Sequence, residues 1–409
     1  MSGEHIELRS DCTVPLCVLV DSRACQAVAP LLNMGLRHVG NANDMSNLLP
    51  KSVNIFDDTM REGLQIESPD IPVSEKLRLL DAIGEMGAKN ISIGSFAHPK
   101  WTPSMACIDE LADAFVPKPG INYTAAVFNK RGFDRADGYF PKINVRGRNF
   151  GTHVELCDTF ARRNYNRTQV EQIAAMDASV ASAKAAGAEA GSIAVGNPFG
   201  SNFEGPFSLE TRMELIDLMM SKWEHAGIKV DRVSFLDAMG WNMPHTVRET
   251  ITAIRDKYPD VETYHMHLHN TRGATIASYY EALLLGATEF DTSLGGMGGC
   301  PYCGNGRAAG HVPTEDFVNL CHELGVETGY DLDKVIEAAC VAEEVVGHAL
   351  RGHVSKAGPL PRDEACYPND MPFVETFEEA AHFRNGPGVY EGQISPWREG
   401  DALSRPSSA

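Results

Sequence analysis

The chain lacks an excess of positive charge. It carries 36 Lys and Arg against 55 Asp and Glu, a formal charge of -19. A nucleic-acid binder or a protein held on an anionic membrane surface needs a basic face, so this balance argues against both. An anionic small-molecule substrate stays open, because a few local Arg and Lys side chains are enough to hold one. Long apolar runs are also missing: none approaches the ~20 residues that span a bilayer. The first nine residues, Met1 to Arg9, are polar and charged, unlike a signal peptide. The ten cysteines show no paired spacing, and a chain this long needs no disulfide staples, so they read as reduced thiols of a cytoplasmic protein. Cys300-Pro301-Tyr302-Cys303 matches Cys-x-x-Cys, but without a second such pair a structural zinc site is not expected. No internal repeat is visible beyond an alternation of strand and helix.

What is present is 409 residues of ordinary globular composition, 43% hydrophobic and 22% charged, enough for one large domain or two smaller ones. The most informative stretch is His265-Met266-His267-Leu268-His269-Asn270-Thr271-Arg272-Gly273. The residues before it read as a strand, on which alternate side chains share a face. His267 and His269 then point together just before a turn, an arrangement that can hold a metal ion. His265 is one step earlier on that face, as a third ligand or a supporting group. His-x-His is short and common, so the rest of the chain must decide.

Residues 1 to about 50 show no regular pattern apart from an apolar run at Val14–Val20 and a helical stretch at Ala24–Leu36. From Val53 onward, strands alternate with helices: expected strands start near Val53, Asn90, Ile121, Phe150, Ala190, Val230, Val261 and Thr288. Expected helices run from an N-cap at Ser74 to Gly87, over Met105–Phe115, Thr168–Ala186, Leu209–Ala226, His245–Lys257 and Ala274–Leu285. Eight strand–helix units in about 240 residues predict a (β/α)8 TIM barrel. The competing doubly wound sheet wants a Gly-rich turn after its first strand, and Asp57-Asp58-Thr59-Met60-Arg61-Glu62-Gly63 is not one. After about residue 313 the chain turns helical (Leu332–Leu350), and from Ser355 it becomes an irregular arm rich in Pro, Gly and charge.

Reactive groups of such a barrel collect where its strands end. Strand one offers Asp57, Asp58, Arg61, Glu62 and Gln65; strand two Ser92, Ser95 and His98; strand four Glu155, Asp158, Arg162 and Arg163; strand five Asn197; strand six Asp237. Strand seven offers the histidines, and strand eight leads into Gly295-Gly296-Met297-Gly298-Gly299-Cys300, then Asn305, Arg307 and His311. A carboxylate from strand one and two imidazoles from strand seven can meet at the mouth, and that donor set suits Mg²⁺, Mn²⁺ or Zn²⁺. Beside a metal, Arg61 becomes a fixed guanidinium for an enolate or carboxylate oxygen. Four glycines in six residues suggest a mobile loop that carries Cys300 over the site.

Taken together, Arg61-Glu62-Gly63-Leu64-Gln65, Ser95-Phe96-Ala97-His98-Pro99-Lys100-Trp101, Gly196-Asn197-Pro198-Phe199, Asp237-Ala238-Met239-Gly240, His267-Leu268-His269-Asn270 and Gly298-Gly299-Cys300-Pro301-Tyr302 resemble the metallolyase superfamily with a D-R-E-type first strand. The nearest likeness is to 3-hydroxy-3-methylglutaryl-CoA lyase and its relatives, over about Val53 to Gly358. The resemblance implies metal ligands at Glu62, His267, His269 and His311, an enolate-supporting Arg61, and a proton-exchanging Cys300. It also implies a division into an N-terminal extension (1–52), a metallolyase barrel of pyruvate carboxyltransferase-like type (53–312) and C-terminal helices with an arm (313–409).

Three positions depart from the lyases. Glu62 stands where they have Asp, as in homocitrate synthases. His311 stands where they have a ligating asparagine, with Asn305 as the fallback ligand. Ser92 stands where they have a glutamate that orients the arginine. The expected activity is metal-dependent retro-Claisen cleavage of a 3-hydroxy-3-substituted acyl-CoA, with His267 or Glu62 as base while ligated. The alternatives are condensation of acetyl-CoA onto a 2-oxo acid, as in isopropylmalate, homocitrate and citramalate synthases, and a non-catalytic metal-binding barrel. The expected partners are an anionic substrate, a CoA thioester, and further copies of the chain in a homodimer or larger assembly; no cradle for the CoA phosphates is identifiable.

Overall fold

Eight short runs, most of them alternating apolar and small or polar residues, form the strands β1 (Asn54–Asp57), β2 (Asn90–Ser95), β3 (Asn122–Ala126), β4 (Phe150–Glu155), β5 (Ala190–Gly196), β6 (Lys229–Asp237), β7 (Thr263–Leu268) and β8 (Glu289–Ser293). The computed structural model describes residues 48–100, 102–145, 150–304 and 308–360. The chain divides into two units, Met1–Asn47 and Leu48–Ala409. The runs expected at Val14–Val20 and Ala24–Leu36, and the arm beyond residue 360, lie outside the described residues.

All eight strands pair in parallel, in the order β3-β2-β1-β8-β7-β6-β5-β4. The first strand lies against the last, with Asn54 opposite Glu289 and Asp57 opposite Thr292. A curled parallel sheet in this order, with helices between successive strands, matches a (β/α)8 TIM barrel. Among the described residues no ladder joins β3 to β4, so the described sheet is curled and open at that seam. Val312–Pro313 adds a short parallel pairing to β8, which ties the segment carrying His311 to the sheet.

The helices are α1 (Val73–Glu85), α2 (Ile108–Ala114), α3 (Lys130–Asp137), α4 (Asp158–Tyr165), α5 (Gln169–Ala185), α6 (Leu209–His225), α7 (Pro244–Lys257), α8 (Thr275–Leu284), α9 (Thr314–Glu323), α10 (Leu332–Val346) and α11 (Val354–Ala357). Their ends follow local chemistry. Thr168 caps α5 by a reciprocal bond with Glu171, and Ser208 caps α6. Ser74 does not cap α1: the cap position is Pro72, and Ser74 lies within the helix. The pattern also missed α3 and α4, which are short and polar, and α10 stops at Gly347 in the left-handed region rather than at Leu350.

The core is the layer between sheet and helices. On β7 the buried Tyr264, Met266 and Leu268 alternate with the half-buried His265 and His267, so the imidazoles take the other face. Trp223 of α6 is fully buried and donates its indole N–H to Thr152 on β4, 3.0 Å away. It fits because β5 has Gly191 there: a Cβ would come within 2.6 Å of the ring. The C-terminal helices return to the first one, with Arg78 of α1 paired to Glu344 of α10 at 2.8 Å. Among the described residues no helix is long and apolar enough to cross a membrane.

Candidate metal centre

Three imidazoles meet at the mouth of the barrel, and the outer nitrogen of each is already engaged. His267 places Nδ1 2.5 Å from Asp291 Oδ2, His269 places Nδ1 2.6 Å from the Ala309 carbonyl, and His311 places Nδ1 3.2 Å from the Leu268 carbonyl. Carbonyl and carboxylate oxygens only accept, so each Nδ1 donates and each Nε2 keeps its lone pair. The rings converge, with centroids 4.3 to 5.6 Å apart, and their ligand atoms lie within 4.8 Å of one another. Nε2 of His311 is buried without a hydrogen-bond partner. An orphaned buried acceptor among two others of the same kind is what a cation-binding set requires. The donor set therefore fits a divalent metal.

The acidic members come from β1. After Asp57 the chain makes a single π-helical turn, Thr59–Gly63. The amides of Arg61, Glu62 and Gly63 all point at the Asp58 carbonyl, 2.8 to 3.1 Å away. This turn brings Glu62, nearly fully buried, to 3.7 Å (Oε1) from His269 Nε2, while its other oxygen pairs with Arg61. Asp58 stands beside it: Oδ2 is 3.3 Å from Arg61 Nη1 and 3.7 Å from His311 Nε2. Among the described residues no hydrogen bond links Ser92 to Arg61, and Asp58 supplies the second carboxylate against the guanidinium.

Asp291 is the residue the sequence reading passed over. It bonds both His267 and His265, the latter at 2.7 Å. His265 spends its other nitrogen on Ser234, 3.2 Å away, so it supports the centre through Asp291 and is not a third ligand. The available signal was an acid in the last expected strand, which follows the strand bearing His-x-His. Burial resists charge on Asp291, but His265 and His267 outweigh it and hold its carboxyl well below the usual range. Burial and the neighbouring imidazoles push His267 and His269 down, keeping both neutral. On His311, burial is outweighed by Asp58 and Asp291, which push it up.

The glycine-rich segment behaves differently from expectation. Gly295–Met297 forms a tight turn held by Glu315, which accepts from the Gly295 amide at 3.0 Å, and by a Ser293 to Met297 bond of 2.7 Å. Its glycines serve close packing: at Gly298 (φ +108°) a Cβ would lie 2.6 Å from the Glu62 carbonyl. The segment lies packed on the Glu62 turn instead of standing over the site as a free flap. Cys300 is 8% exposed and packs with Cys157, Phe160, Met239 and Cys303, yet it lines the cavity. Cys303, whose thiol is pushed far up by its contact with Cys300 and by burial, donates to the Ala238 carbonyl. Both are free thiols, with no disulfide among the described residues. Asn305 and Arg307 lie outside the described residues, as does Trp101.

The cavity has a volume of about 1040 Å³ and opens over Arg61, Glu62, His267, His269 and Cys300. Arg162, Arg163 and Arg167 stand at its rim, a local positive patch on an acidic protein. Asp237 turns elsewhere: it accepts from the amide and side chain of Asn242 at 2.7 and 2.9 Å, and burial pushes its carboxyl up to about 6.

The HMGL-like family model matches residues 52–341. The chain belongs to the HMGL-like family. Among curated relatives of this HMGL-like protein, (R)-citramalyl-CoA lyase of Chloroflexus aurantiacus is 33% identical over 76% of this chain and 96% of its own. Mitochondrial hydroxymethylglutaryl-CoA lyase of Rattus norvegicus is 32% identical over 76% of this chain and 90% of its own. Among solved structures, an HMG-CoA lyase from Acinetobacter baumannii in complex with coenzyme A and 3-methylmalate superposes with a TM-score of 0.63 at 26% identity, covering 79% of this chain and 98% of its own. As a member of the HMGL-like family the chain is a metal-dependent lyase.

Proposed function

We propose that the protein cleaves a 3-hydroxy-3-substituted acyl-CoA to acetyl-CoA and a keto product. The observation that carries this reading is the set of three Nε2 lone pairs of His267, His269 and His311, facing Glu62 and Arg61 across one cavity. These imidazoles with Glu62 would hold a divalent cation, Mg²⁺, Mn²⁺ or Zn²⁺, and such an ion supplies Lewis acidity toward a substrate oxygen. The cavity is large enough for a thioester, and the rim arginines suit its phosphates.

The chain's own groups then divide the work. His267 spends Nδ1 on Asp291 and would give Nε2 to the cation, which leaves it no lone pair for a proton, so a carboxylate oxygen of Glu62 is the base that takes the hydroxyl proton. Once the hydroxyl proton leaves, the carbon–carbon bond breaks and its electron pair becomes the enolate of the departing acetyl thioester. Arg61, held by Glu62 and Asp58, stabilises the enolate oxygen. Cys300, largely buried at the wall of the cavity, gives its thiol proton to the enolate carbon.

The test is turnover of 3-hydroxy-3-substituted acyl-CoA thioesters by purified protein, with Cys300→Ala as the variant. Cys300→Ala should lose about 100-fold or more in kcat, the scale of a lost proton donor, with metal content unchanged. Normal turnover by the variant removes Cys300 from the reaction. Release of free CoA from acetyl-CoA and a 2-oxo acid, without cleavage, replaces the lyase by a condensing enzyme.

A further inference from the structure

β4 ends in a carboxylate that the reaction above does not use. Glu155 is 2% exposed, yet it lines the same cavity as Arg61, His267 and Cys300. In the strand order β4 lies half a turn around the barrel from β8, so Glu155 faces the site from across the mouth. The next strand makes room for it. At Gly196 a Cβ would lie 2.1 Å from Glu155 Oε2 and displace the carboxylate. Asn197, fully buried and held at φ +48°, donates Nδ2 to that oxygen at 2.9 Å. A non-glycine residue kept in the left-handed region is held there by its surroundings.

The rest of Glu155 is under-used. An ionised carboxylate offers about four acceptor positions, and Asn197 fills one. His153, on the same face of β4, places Nε2 3.2 Å from Oε1 but off line, and that nitrogen has no hydrogen-bond partner. The Tyr165 ring lies against His153, with centroids 5.0 Å apart. Among the described residues no lysine or arginine pairs with Glu155. The acceptor positions that Asn197 leaves free belong to a residue that lines the cavity, where an incoming donor can reach them.

We propose that Glu155, His153 and Tyr165 form a subsite for a hydroxyl group on the 3-substituent of the substrate, away from the bond that breaks. This rests on the lyase reading above and narrows its substrate class. Glu155 can only accept, so the incoming group must donate. A carboxylate there meets like charge. An ammonium meets Arg61 in the same cavity. A hydroxyl donates to Glu155 and accepts from Tyr165, whose phenol burial keeps protonated. An alkyl substituent leaves Glu155 unpaired, and sites built for a hydroxyl reject such analogues strongly.

The test uses the metal-loaded full chain and three 3-hydroxyacyl-CoA thioesters whose 3-substituents end in a hydroxyl, a methyl or a carboxylate. Acetyl-CoA release gives kcat/KM, and calorimetry gives Kd. The hydroxyl compound should lead the methyl one by at least about tenfold in kcat/KM and bind tighter. Glu155→Ala should bring that ratio to within about threefold. Glu155→Gln, which keeps the shape should the alanine variant not fold, and Tyr165→Phe should each reduce it. Equal handling of all three by the wild type, a preference for the carboxylate, or a preference that survives these variants overturns the subsite. Tighter binding of the hydroxyl compound with no cleavage of any thioester leaves the subsite standing and removes the lyase reading instead.

Discussion

Replacing Asp291 with asparagine probes the centre without touching a proposed ligand. Asp291 receives His267 Nδ1 at 2.5 Å and His265 Nε2 at 2.7 Å, one on each oxygen. Asparagine keeps one accepting oxygen and turns the other position into a donor. If that donor faces His267, the ring shifts its proton to Nε2 and removes the lone pair aimed at the cluster. If it faces His265, His267 keeps its tautomer but loses the negative partner that raises its basicity. Removing such outer partners typically weakens metal binding 10- to 100-fold, or about 1.4 to 2.7 kcal/mol. Titration of Mn²⁺ into metal-stripped Asp291→Asn by calorimetry should show a loss in that range, with circular dichroism unchanged. Asp291→Ala should lose at least as much. A folded Asp291→Asn that binds Mn²⁺ within threefold of the wild type refutes the argument that the outer partners aim the imidazoles.

Two further outcomes test the packing and charge around the centre. At Gly310 a Cβ would lie 1.7 Å from the Met297 carbonyl oxygen, a backbone atom with no rotamer to escape into. Gly310→Ala should therefore lose roughly 3 kcal/mol or more in urea unfolding, and a variant of normal stability contradicts the close approach. Glu315 is fully buried with one oxygen unpartnered, and burial pushes its carboxyl from 4.5 up to about 7. A folded-state pKa above the unfolded one gives stability that is complete below about pH 4.5 and fades as pH rises through about 7. The gap of about 2.5 pH units corresponds to roughly 3 kcal/mol. Glu315→Gln should remove this part of the pH dependence, so wild type minus variant stability should fall between about pH 4.5 and 7. Parallel curves for the two proteins show that the buried carboxyl does not titrate in that range.

The alternation of strand and helix from Val53 onward was enough to predict the barrel, because each unit is a local pattern with its own period and caps. Glu62, His267, His269 and His311 were legible as a set only because a barrel gathers its strand ends; the structure groups the three histidines and sets Glu62 3.7 Å from His269. What the sequence could not rank was direction and company. His265 and His267 share a strand face, yet only the pairing of β7 with β6 and β8 sets one between Ser234 and Asp291 and leaves the other an inward nitrogen. Glycines at 295–299 suggest freedom in a linear chain; in the folded one they admit the Glu62 carbonyl. Asp58 is one of three polar residues in a row, Asp57 to Thr59, until a π-helical turn stands it between Arg61 and His311. Composition and period are properties of neighbours along the chain, and they determined the class of fold. Which lone pairs meet is a property of neighbours far apart in the chain, such as Asp58 and His311, and only the packing of the curled sheet decided it.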